Sequence, residues 1–115
     1  MNRPPRRPLI DRFLAEWDKI DWSGLRFSVI HNDANDYNVL VSGSPQTVSA
    51  ILDYGDVVHS ATVCNLAVAL AYVMLDKRDP ITAAAQVVSA YQESFPLSEN
   101  EIDVLYTVRS ASEVF

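Results

Sequence analysis

The chain has 115 residues, enough for one domain with a small core. Hydrophobic residues make up 49% and charged residues 21%, ordinary values for a soluble globular chain, and the net charge is −6. That balance argues against a nucleic-acid binder, which shows a basic face. The only basic cluster, Arg3, Arg6 and Arg7, is interleaved with Pro4, Pro5 and Pro8, so residues 1–8 are expected to form a flexible, extended tail before a domain over residues 9–115. A single cysteine, Cys64, excludes an internal disulfide and a Cys-rich metal site. No apolar signal segment follows the basic start, and the longest apolar run, Leu66 to Leu75, is too short to cross a bilayer. A soluble cytoplasmic protein with no membrane partner is expected.

A helical period starts at Leu9, with Ile10, Phe13, Leu14 and Trp17 on one stripe, and Ser23-Gly24 breaks it. Phe27, Val29 and Ile30 form a short extended segment. The polar stretch His31 to Asn38 follows, then a short strand at Val39, Leu40 and Val41. Ser42-Gly43-Ser44-Pro45 is a turn signal, and Val48 to Leu52 reads as the second strand of a hairpin. The hairpin would bring residues 31–38 and 53–56 close in space. Beyond it the chain is helical. Ala61 to Leu75 is apolar on most faces and is expected to be buried. Asp79-Pro80 opens a helix running to about Ser94. Ser98-Glu99-Asn100-Glu101 fits a capping box, with Ile102, Leu105, Tyr106 and Val108 as the expected apolar stripe. The predicted fold is α+β and mainly helical: one helix, a β-hairpin bearing the site, then three helices.

The informative polar set is His31, Asp33, Asn38 and Asp53. Phosphoryl transfer to a hydroxyl needs one carboxylate to accept or orient the hydroxyl proton. It also needs an amide oxygen and a second carboxylate to hold Mg²⁺ against nucleotide phosphates. Asp33 and Asn38 are five apart in one loop, and Asp53 lies across the hairpin. Gly55, after that Asp, is expected to let the backbone turn sharply away. The bland alternative is that these residues are turn and cap formers, common for local hydrogen-bonding reasons. A zinc site from His31, Asp33 and His59 is conceivable, but nothing in the spacing demands it. His59 reads as a polar loop residue, Cys64 as a buried small hydrophobe, and Trp17 with Trp22 as core or interface.

The stretch His31-Asn32-Asp33-Ala34-Asn35-Asp36-Tyr37-Asn38-Val39-Leu40-Val41 resembles the catalytic loop of the aminoglycoside phosphotransferase and choline kinase group, which shares the protein-kinase-like fold. Ile51-Leu52-Asp53-Tyr54-Gly55-Asp56 resembles its metal-binding segment. With Val58-His59 and Asn65-Leu66-Ala67 following, the wording is most similar to the branch containing hydroxylysine kinases and the phosphotransferase domains fused to some class III aminotransferases. The resemblance covers roughly residues 9–113. It implies that Asp33 is the catalytic base, that Asn38 and Asp53 hold Mg²⁺ on ATP, and that His31 braces the loop. Asn65 stands where many relatives carry an Asp that anchors the loop backbone by accepting hydrogen bonds. The role of Asp56 is left open.

The same resemblance implies an N-terminal lobe with a loop over the phosphates and a strand Lys. The chain has three glycines, none in such a loop, and two lysines, Lys19 and Lys77, neither on a strand ahead of residue 31. The expectation is therefore part of a C-terminal lobe, inactive alone, with apolar surface covered by self-association. Two readings stand side by side. One is an ATP- and Mg²⁺-dependent kinase acting on a hydroxyl of a small amine or amino-acid-like substrate. The other is a truncated, non-catalytic module that self-associates.

Overall fold

The computed structural model describes residues 6–111. Helix α1 (Arg6–Asp18) leads through a short 3-10 turn (Trp22–Gly24) to strand β1 (Phe27–Ile30). Strands β2 (Val39–Ser42) and β3 (Thr47–Ile51) form the expected hairpin, and β4 (Val58–Ala61) runs directly into α2 (Thr62–Met74). Helices α3 (Pro80–Ser94) and α4 (Glu99–Ala111) complete the chain. The architecture is α+β and mainly helical with a β-hairpin, as the sequence predicts, and it carries a second small antiparallel pair.

Helix α1 starts inside the segment expected to be an extended tail. Pro8 is its third residue, where the backbone has no intrahelical bond to lose, so the proline is tolerated. Residues 1–5 lie outside the described residues. The apolar stripe of α1 is only partly covered: Ile10 and Leu14 are 39% and 49% exposed. Trp17 packs against Trp22 with ring centroids 4.9 Å apart.

The strands are nested. The hairpin pairs Val39 with Ile51 at its open end, and its turn uses Gly43 at φ +87°, a region open to glycine. Outside it, β1 pairs with β4, Ile30 opposite Val58 and Phe27 opposite Ala61. Strand β4 was not expected from the sequence. Its four residues alternate poorly, and its partner lies more than twenty residues upstream. The pairing has a large consequence for the site. Segments 31–38 and 52–57 leave the ends of two adjacent ladders, so they are held together twice.

The core is small. Leu25, Ala61, Val63 and Val104 are buried together, with Ile20, Trp22, Cys64, Leu97 and Leu105 packed around them. Leu66, Ala67 and Leu70 continue the buried face of α2, as expected of that helix. Burial pushes the Cys64 thiol up, against a hydrogen bond with Ser60 that lowers it. The radius of gyration is 15.3 Å, against about 13 Å for a compact domain of this length. No helix is long and apolar enough to cross a membrane among the described residues.

The stripe expected on α4 is corrected. Ile102 and Tyr106 are 45% and 63% exposed, and the side chain of Val108 lies outside the described residues. The inward residues are Glu101, Val104 and Thr107, with Leu105 beside them. The cause is Glu101. Its carboxylate is fully buried and accepts from Arg26 Nε at 3.2 Å and from Arg26 Nη2. It also takes the Ser98 N–H at 2.9 Å, while Ser98 Oγ accepts from Glu101 N, which closes the predicted capping box. Satisfying this buried charge rotates the helix away from the simple apolar stripe. Arg26 also donates to the Pro96 carbonyl at 2.8 Å and stacks 3.9 Å over the Phe95 ring.

Burial alone would raise the Glu101 pKa, but Arg26 and Ser98 outweigh it and hold the carboxyl below the usual range. The folded value lies below the unfolded one, so the pair stabilises above the ordinary carboxylate range and fades as pH falls through the folded value. Glu101→Gln keeps the capping box and should cost roughly 1 kcal/mol at neutral pH. Arg26→Met strands a buried carboxylate and should lower the urea midpoint further than Glu101→Gln does. Urea titrations at pH 7 and pH 3 check both: the difference between wild type and Glu101→Gln should shrink in acid.

Candidate active site

The loop after β1 turns on Asn32, held at φ +71°. Asn and Asp tolerate this left-handed region better than other non-glycine residues. The Asn32 N–H donates to Asn65 Oδ1 on α2 at 2.9 Å. His31 uses both ring nitrogens. Nε2 donates to the Leu52 carbonyl at 2.7 Å, and Nδ1 accepts from the Asp33 N–H at 3.2 Å. One neutral tautomer, with the proton on Nε2, satisfies both bonds. Tyr54 packs its ring edge-on at 4.9 Å from the His31 ring.

Asn38 is 8% exposed. Its Nδ2 donates to the Asp33 carbonyl at 2.9 Å and to Asp33 Oδ2 at 3.2 Å. The amide oxygen is therefore left over, and it accepts no hydrogen bond from the described residues. The Asn38 carbonyl takes the Leu52 N–H at 2.7 Å, which ties the backbone just ahead of Asp53 to this loop. Asp53 adopts φ +59°, and its Oδ1 accepts from the Gly55 N–H at 3.2 Å. The expected role of Gly55 is thus corrected. The left-handed turn falls on Asp53 itself. A Cβ at position 55 would stand 3.2 Å from Asp53 Oδ1, so a larger residue would crowd that carboxylate.

Asp33 and Asn38 are therefore bonded to each other, and the backbone just ahead of Asp53 is bonded to Asn38 and His31, with Asn65 bonded to the loop at Asn32. The left-over amide oxygen and the Asp53 carboxylate are hard donors of the kind Mg²⁺ prefers. His59 is elsewhere: it pairs with Val29 on the outer side of β1 and β4 and stacks on Phe27. Among the described residues no group of three His, Cys, Asp or Glu is placed to hold a metal, so the His31, Asp33 and His59 set does not assemble. The Asp56 carbonyl receives a long contact, 3.4 Å, from Asn32 Nδ2.

Two contributors were missed from the sequence. Asn35 Nδ2 and the Tyr72 hydroxyl each donate to Asp33 Oδ1 at 3.2 Å. Tyr72 lies seven residues after Asn65 on α2, two helical turns along the same face. That spacing was the available signal. A cavity of about 320 Å³ opens beside the loop, between Asn35, Asp36 and Val39 on one side and Tyr72, Val73 and Lys77 on the other. A cleft of about 350 Å³ between α1 and α4 lies away from these groups.

A carboxylate braced in a loop, with an amide and a second carboxylate across a hairpin, is the arrangement that the resemblance to phosphotransferases implies. The chain belongs to the phosphotransferase enzyme family, whose model matches residues 2–100. It is 35% identical over 89 residues to hydroxylysine kinase of Xenopus laevis and 34% over 84 residues to that of Danio rerio. Each match covers 70% of this chain and 24% of the relative. The mouse hydroxylysine kinase is 30% identical over 91 residues, covering 73% of this chain and 24% of its own length. The chain thus spans about a quarter of these relatives. The crystal structure of an aminoglycoside-3'-phosphotransferase of type VIII shares the fold, with a TM-score of 0.58 at 24% identity over 91% of this chain and 39% of that one.

Asn65→Ala removes the acceptor for the Asn32 N–H. It should cost about 1 kcal/mol and speed hydrogen exchange at the Asn32 amide, whereas Asn65→Asp should keep that amide protected. Exchange followed by NMR decides it: an unchanged Asn32 rate in Asn65→Ala would remove Asn65 as the anchor.

Proposed function

We propose that this chain carries the proton-accepting and metal-holding part of an ATP- and Mg²⁺-dependent small-molecule kinase. The acceptor would be a hydroxyl on a small amine or amino-acid-like substrate. The observation that carries the reading is the bonded sequence Asp33–Asn38–Leu52, which ties the backbone just ahead of Asp53 to the loop that holds a spare amide oxygen. On this reading Asp33 receives the substrate's hydroxyl proton. Asn38 Oδ1 and the Asp53 carboxylate would hold Mg²⁺. When bound, the ion would supply positive charge against the nucleotide phosphates.

His31 serves as a brace, because both of its ring nitrogens are engaged by the backbone. Asn65 serves as the anchor of the loop. Asp36 and Lys77 rim the cavity beside Tyr72 with opposite charges, which suits a substrate bearing both an ammonium and a carboxylate. The hydroxylysine kinases among the relatives, by name, agree with that choice.

Calorimetric titration of ATP, with Mg²⁺ and with EDTA, tests the reading. Metal-dependent binding should appear in the chain and weaken at least tenfold in Asp53→Asn. Equal heats with Mg²⁺ and EDTA would overturn it.

The second reading, a self-associating non-catalytic module, is favoured by one observation. Phe27 and Val29 on β1 are 49% and 69% exposed, and Val41 and Val48 on the hairpin are 51% and 62% exposed. Apolar strand faces this open mark interaction surfaces. Light scattering should give a dimer mass that reverts to monomer in Val29→Lys. A monomer at high concentration removes this reading.

A further inference from the structure

We propose that Tyr72 is a positioning residue that divides the labour between the two oxygens of Asp33. This rests on the reading of Asp33 as the proton acceptor. A carboxylate offers about four lone-pair sites, two on each oxygen. Oδ1 takes two donors, Asn35 Nδ2 and the Tyr72 hydroxyl, each at 3.2 Å. Oδ2 takes one, Asn38 Nδ2, also at 3.2 Å. The site left open is on Oδ2, the oxygen beside Asn38, whose own carbonyl takes the Leu52 N–H. A hydroxyl approaching from the metal-holding side meets an acceptor that is aimed and vacant. Without Tyr72 the plane of the carboxylate could turn about its terminal bond, and the open lone pair would no longer be held toward that hydroxyl.

The geometry of α2 supports a built contact over a chance one. Asn65 and Tyr72 lie about 10 Å apart along the helix on one face. Asn65 takes the backbone of the loop at Asn32, and Tyr72 takes its reactive side chain at Asp33. The two contacts separate holding the loop from aiming the carboxylate. The Tyr72 ring also lines the cavity beside Asp36 and Lys77, so the residue stands between the substrate space and Asp33.

Carbon-detected NMR on the full chain at neutral pH, with the Asp side-chain carboxyls labelled, tests this in wild type and Tyr72→Phe. The Asp33 carboxyl signal should move more than those of Asp36, Asp53 and Asp56, and its side-chain couplings should show averaging between rotamers. The thermal midpoint and the Asn32 amide exchange should stay at wild-type values. A merely structural Tyr72 would instead move the midpoint or the Asn32 rate. That result, or an unmoved Asp33 signal, overturns the proposal. Mg²⁺ added to the same samples reads the Asn38 side-chain amide and the Asp53 carboxyl. Their silence would sink the metal-holding reading, while the Asp33 response still decides the role of Tyr72.

Discussion

Arg26 is the residue on which the arrangement of this chain depends. Its side chain neutralises the buried Glu101 and holds the Pro96 carbonyl, and its own carbonyl receives the Thr62 N–H at 2.9 Å. One residue therefore ties the start of β1 to the first turns of both α2 and α4. Ser28 adds a hydroxyl contact of 2.6 Å to Thr62, so β1 and α2 are joined twice at the same end. The core beneath is too small to fix helix orientation by packing alone. A half-exposed pair at a protein surface contributes little. This pair differs because its carboxylate is buried and spoken for by three donor contacts, so alternatives that leave Glu101 elsewhere must bury an unpartnered charge.

That orientation sets the site. With the start of α2 fixed against β1, the helix runs beneath the loop of residues 31–38, and its polar face meets the loop at Asn65 and again at Tyr72. The nested ladders add the second constraint. Strand β4 returns to β1 after the hairpin, so the segment carrying Asp53 cannot drift from the one carrying Asp33. Both left-handed residues beside the site, Asn32 and Asp53, fall where a loop leaves or rejoins this framework. Each costs local strain that the surrounding bonds must offset, which is common where a backbone is held for function.

Local chemistry made much of this legible in the sequence. The capping box at Ser98, the proline start of α3 and the Gly43 turn are short-range signals, and each gave its element. The order of Asp33, Asn38 and Asp53 around a hairpin was equally readable. The remainder depended on distant partners. Strand β4 exists because β1 is there to pair with it, and nothing in Val58–Ala61 announces it. The face of α4 was misjudged because an ionised residue, Glu101, is buried by a partner 75 positions away. Tyr72 carries no local signal in its apolar helix, because its partner Asp33 lies 39 positions away.

The two loops carry four carboxylates, Asp33, Asp36, Asp53 and Asp56, in a chain already at −6. Like charges about 4 Å apart repel by about 1 kcal/mol in water, and by more in a less polar setting. A bare triphosphate would meet that field unfavourably, and a divalent cation would be drawn to it. On the proposed reading the metal and the nucleotide therefore enter together, each screening what the other would meet alone. Asp33 is insulated from this exchange by its three hydrogen-bond donors. On the same reading they would let it stay an acceptor for a hydroxyl without itself becoming the metal's ligand, the division between proton acceptor and metal holder that phosphoryl transfer requires.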